Sequence, residues 1–146
     1  MPFYGIYDML DEGRVHNPVM HTWVLEPLVF KARREDAPER YRDASPVYRI
    51  HPDAPPFLII HGSADSLAPV ADARTFAERL RETSDAPVVY AELRGAQHAF
   101  DFMPSPRTAP MIEAIERFLH TLRRQSVQTG DEYATTASPT RARTNT

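Results

Sequence analysis

The chain has 146 residues, 42% of them hydrophobic and 25% charged, a size and make-up that suit one folded domain and exclude a fibre, a coiled coil or wholesale disorder. Seventeen basic against 20 acidic residues leave a net charge of -3, so no strong field draws the chain to nucleic acid or to an anionic membrane. Cysteine is absent, which excludes disulfides, thiolate nucleophiles and Cys-ligated zinc.

In chain order, Met1-Pro2-Phe3-Tyr4-Gly5 lacks the basic stretch and apolar core of a secretory signal. The longest purely apolar run, Phe57-Leu58-Ile59-Ile60, is far below the ~20 residues of a membrane span. The expected location is cytoplasmic. Phe3 to Tyr7 reads as the end of a strand. The apolar stretch Trp23 to Phe30, interrupted by Pro27, reads as helical pieces between about Met20 and Arg34. Asp36 to Tyr41 reads as a short helix with Asp36 as its cap and Pro38 early in its first turn. Residues 18–45 are read as a cap or lid segment over a cleft.

Ala54 to Arg124 carries the clearest pattern. Phe57 to His61 is apolar without alternation and bounded by Pro and Gly, as suits a strand buried on both faces of a parallel sheet. A helix follows from about Pro69 to Thr83, with Ala73, Phe76, Ala77 and Leu80 at i, i+3, i+4 and i+7. Val88 to Leu93 is a second strand, and Arg94 to His98 its exit loop. The last helix is expected from about Ala109 to Arg124, with Met111, Ile115, Phe118 and Leu122 on its apolar face and Arg123 and Arg124 favouring its C-terminal dipole. Residues 125–146 are poor in large apolar side chains and rich in Thr and Ser, so a disordered tail is expected there. The domain is therefore placed at 1–124, and its fold class is α/β.

The five glycines are scattered, and no cluster supplies the close backbone approach that a phosphate loop or dinucleotide fingerprint needs. The chemistry lies at the strand ends, where open α/β sheets place their sites. Asp65 follows the first strand of the Ala54–Arg124 segment and His98 the second, so both loops should open on one edge of the sheet. A carboxylate beside an imidazole accepts its Nδ1 proton, fixes the tautomer and leaves Nε2 to act as a base. Asp65 followed in sequence by His98 matches the back half of a Ser…Asp…His triad. Plainer readings make Asp65 an Asx-turn residue and His98 a hydrogen-bonded loop histidine. His61 could meet a metal with Asp65 and His98, but no His-x-x-x-His or acidic cluster supports that reading. His16, His21, His51 and His120 have no partner legible in the sequence.

PPFLIIHGSADSLAPVADARTFAERL and VVYAELRGAQHAFD resemble the C-terminal part of an α/β-hydrolase, in the esterase and lipase branch similar to hormone-sensitive lipase. PFYGIYD resembles the segment that follows the nucleophile-bearing half of such enzymes, and the likeness runs from Pro2 to Arg124. It implies carboxylic-ester hydrolysis, with Asp65 as the catalytic acid and His98 as the catalytic base, a small-molecule ester substrate, and neither cofactor nor metal. The family's Gly-x-Ser-x-Gly elbow is absent from this sequence, as is a His-Gly-Gly-Gly oxyanion loop. The resemblance therefore implies a C-terminal fragment, inactive alone, whose nucleophile comes from a complementing N-terminal hydrolase half. A truncated, split or degraded gene would each produce it. Three further readings fit the same residues: a peptidase of the prolyl-oligopeptidase type, a non-catalytic binding module, and a split-enzyme subunit.

Overall fold

The computed structural model describes the backbone of residues 1–136 and the side chains of 1–127. It forms one compact unit over Met1–Pro104 and a second beginning at Ser105. In the first unit, strands β1 (Phe57–Gly62) and β2 (Val88–Leu93) pair in parallel, in register from Phe57↔Val88 to Gly62↔Leu93. They are joined through helix α3 (Val70–Thr83). β1 is buried along almost its whole length, as its unbroken apolar run requires. α3 turns Ala73, Phe76, Ala77 and Leu80 inward, where they pack with Tyr7, Val47, Ala54 and Ile59. Tyr7 stacks on Phe76 with ring centroids 4.4 Å apart.

The expected strand over Phe3 to Tyr7 is reduced to one parallel bridge, Phe3↔Ile60. Ile60 donates to the Pro2 carbonyl (3.1 Å) and accepts from the Tyr4 amide (3.0 Å). Tyr4 then takes a φ of 38°, a left-handed conformation that no strand continues through. The chain passes instead to Tyr7 and Asp8, whose amides donate to the buried Asp72 carboxylate of α3 at 2.6 and 3.2 Å.

Between Phe3 and β1 lie short helices. Helix α1 (Pro18–Met20) is capped by Asn17, whose side chain accepts from the Val19 amide. It runs into a π-helical segment, His21–Phe30, containing Pro27. Proline supplies no amide and crowds the carbonyl four residues before it, and here the chain widens its turn instead of breaking. Lys31 ends the segment in the left-handed region. In helix α2 (Pro38–Ala44) the cap position is held by Ala37, without a side-chain bond, and not by Asp36 as expected. Asp36 belongs to the preceding turn, where its amide donates to the Arg33 carbonyl.

In the second unit, helix α4 runs Thr108–Thr136, twelve residues past the expected end at Arg124. Residues 125–136 are therefore helical where a disordered tail was expected, and Arg123 and Arg124 stand inside the helix, not at its terminus. No proline occurs between Met111 and Thr136 to stop it. The rest of the expected tail, 137–146, lies outside the described residues. Among the described residues no helix is long and apolar enough to cross a membrane.

Candidate active site

Asp65 and His98 leave the C-terminal ends of β1 and β2, and the parallel register brings their loops together. The loops are stitched to each other. Ser63 donates its amide to the Leu93 carbonyl (3.0 Å) and Ala64 donates to Ala96 (3.0 Å). The Ser63 Oγ accepts from the Gly95 amide at 2.8 Å. The loops approach so closely that a Cβ on Gly62 would lie 2.3 Å from the Ala96 carbonyl oxygen. Gly95 turns the second loop with a φ of 68°, a conformation open to glycine at no steric cost.

His98 Nδ1 stands 2.9 Å from Asp65 Oδ2. The other carboxylate oxygen, Oδ1, accepts the amides of Leu67 (2.9 Å) and Ala68 (2.8 Å). The Asp65 side chain is fully buried, while the His98 side chain is 31% exposed. Buried Asp65 thus has each oxygen committed, and with Nδ1 facing the carboxylate only the Nε2 of His98 remains as a base. The Asx-turn reading and the paired reading both hold, because one oxygen performs each task.

His61, fully buried, supports this arrangement from beneath. Its Nε2 lies 2.8 Å from the Ala68 carbonyl and 3.5 Å from Asp65 Oδ2. The metal reading for His61 has little room, since the same nitrogen that would bind an ion donates to Ala68. Tyr4 covers His98, ring centroid to ring centroid 4.5 Å, and its hydroxyl donates to Asp101 Oδ1 at 3.0 Å. That hydrogen bond is the main reason the Tyr4 phenol is raised above its ordinary pKa. Phe100 meets Tyr4 edge-on at 5.4 Å. The sequence brought His61 to Asp65 and His98 only as a metal candidate and gave no sign of Tyr4, for which the PFYG stretch before β1 was the available signal.

A parallel β-α-β unit with an Asp–His pair across adjacent strand ends defines the C-terminal corner of an α/β-hydrolase sheet. Comparison with known proteins agrees. The BD-FAE family matches residues 1–80, and the chain belongs to that family. It is 48% identical over 119 residues to the probable carboxylic ester hydrolase LipM of Mycobacterium tuberculosis, covering 82% of this chain and 27% of that protein. It is 44% identical over 131 residues to esterase LipC of the same organism, covering 88% of this chain and 32% of LipC. The chain thus spans about a third or less of the curated relatives it matches. A truncated carbohydrate esterase from gut microbiota shares its fold with a TM-score of 0.63 at 20% identity, over 79% of this chain and 40% of that one. The Est2 esterase of Thermogutta terrifontis superposes with a TM-score of 0.52 at 27% identity, over 67% of this chain and 39% of Est2. The chain thus has the α/β fold of these esterases and aligns with only part of each.

Proposed function

We infer that this chain carries the acid and base of a Ser-Asp-His esterase and acts on carboxylic esters together with a nucleophile and oxyanion donors from a complementing hydrolase segment. The observation behind this reading is the 2.9 Å contact between His98 Nδ1 and Asp65 Oδ2. It leaves Nε2 to take the proton of an incoming serine, while the carboxylate stabilises the imidazolium that results. The esterase relatives supply the substrate class. By itself the chain has a base but no serine elbow, and removing the nucleophile of a triad costs on the order of 10⁶ in turnover.

The test is a chimera in which this chain replaces the matching segment of LipM. The purified chain alone should leave short acyl p-nitrophenyl esters uncleaved, and the folded chimera should cleave them. In the chimera His98→Ala should lower kcat by on the order of 10⁶ and Asp65→Asn by on the order of 10⁴. A soluble chimera whose turnover survives His98→Ala would overturn the assignment. Cleavage of aminoacyl nitroanilides in preference to esters would move the reading to the peptidase class.

A further inference from the structure

Apart from the Asp65–His98 pair, three ligand-type side chains converge where the chain enters the π-helix. Asp11, His16 and His21 are each 6% exposed, and one ligand atom from each lies within 4.8 Å of the others. His21 Nε2 stands 3.3 Å from His16 Nδ1 and 3.6 Å from Asp11 Oδ2. Two ring nitrogens on one tetrahedral zinc, at ~2.0–2.1 Å each, are held ~3.3–3.4 Å apart, so the separation needs almost no adjustment.

A ring-to-ring hydrogen bond would give the same distance, and the outer nitrogens bear on the choice. His16 Nε2 is buried without a hydrogen-bond partner, yet it faces Asp72 Oδ2 at 3.4 Å. A carboxylate in that position behind an imidazole is the usual backing of a metal-bound histidine. It favours the tautomer with hydrogen on Nε2 and the lone pair of Nδ1 turned into the cluster. His21 Nδ1 is likewise buried and has no hydrogen-bond partner to fix the ring's tautomer.

Asp11 is fixed by its own loop. Its backbone is left-handed, with a φ of 53°, and Oδ1 accepts the amides of Val15 (2.7 Å) and His16 (3.2 Å). Oδ2 is left toward His21, with Arg34 Nη1 competing at 3.5 Å. A cleft of about 340 Å³, lined by these three residues together with Glu26, Glu35 and Arg34, opens onto the cluster.

We propose that Asp11 Oδ2, His16 Nδ1 and His21 Nε2 form a divalent-metal site suited to zinc, backed by Asp72, with water completing the shell. Nitrogen and carboxylate donors without sulfur match Zn²⁺ in preference to Mg²⁺ or Ca²⁺. The ion would tie the loop ahead of the π-helix to α3 through the His16–Asp72 contact.

The test titrates chelator-stripped full chain with zinc sulfate by calorimetry and thermal unfolding. We expect 1:1 binding in the micromolar range or tighter and a saturable rise in Tm. His16→Gln and His21→Gln should each weaken binding at least 10-fold, and Asp72→Asn by ~10–100-fold. Should a glutamine variant fail to fold, Co²⁺ in the unaltered chain reads the geometry directly, and intense tetrahedral visible bands support the site. Absence of zinc binding by the folded chain overturns the proposal. So does affinity unchanged in the folded His16→Gln and His21→Gln variants, or a Co²⁺ spectrum like that of the free aqueous ion.

Discussion

Asp65 illustrates how one side chain closes a turn with one oxygen and meets an imidazole with the other. The contact was legible because a carboxylate just past a buried strand, with a histidine just past the next, has few other reasons to face inward. Tyr4 and the Asp11–His16–His21 cluster were not legible. They meet through irregular backbone with positive φ at Tyr4 and Asp11, and no sequence period encodes such turns. Gly62 is the residue-scale weak point. A methyl group there would press on the Ala96 carbonyl oxygen, which is backbone in the stitched loop pair and has little freedom to yield. Gly62→Ala should destabilise the chain by about 2–3 kcal/mol, the range of overpacking into a fixed neighbour. A fall in urea midpoint with an unchanged m-value checks it, and wild-type stability in that variant would mean the loops part easily.

At the scale of elements, β1, α3 and β2 were legible almost to the residue, because burial on both faces of β1 and a four-residue apolar stripe on α3 leave few alternatives. The π-helical segment was legible only as helix, since widening of the turn depends on how Pro27 is accommodated and not on hydrophobic spacing. α4 overran its expected end because composition describes the tail's inability to bury surface, whereas backbone hydrogen bonds alone extend a helix already nucleated. α3 and β2 are further joined by Arg74, which donates to both oxygens of Glu92 (2.8 and 2.7 Å), while within β2 the Tyr90 hydroxyl donates to Glu92 Oε2 (2.8 Å). The Arg74 hydrogen bond is the largest cause holding the Glu92 carboxyl below its ordinary 4.5. A carboxyl lowered on folding stabilises the chain above its unfolded pKa, and that contribution is lost as pH falls through the folded value. The difference in Tm between wild type and Glu92→Gln should therefore be present at about pH 6 and shrink on acidification below about pH 4.5. A difference that stays constant or grows across that window would show that Glu92 acts by shape and not by charge.

For the first compact unit as a whole, the balance of covered and uncovered surface matters most. β1 is flanked by β2 and by the Phe3 bridge, but a sheet of two full strands is fewer than the three or more that usually stand alone. Among the described residues β2 pairs only with β1, and its Val89 is 43% exposed. On the helical stretch from Pro18 to Phe30, Val19, Trp23, Leu28 and Val29 are all exposed, Trp23 at 71%. An unpaired strand edge and exposed large apolar side chains on one helical stretch both favour association. Trp23 is the sole tryptophan, so its fluorescence reports on this surface without labelling. The isolated chain should emit as an exposed indole when dilute and shift blue as it self-associates at micromolar to ~100 µM concentrations. Sedimentation should follow the same curve, and Trp23→Ser should move it to higher concentration. If the chain instead stays monomeric with unchanged emission across that range, the exposed apolar stretch is too dispersed to drive association, and complementation by a hydrolase half would have to rest on the sheet edge alone.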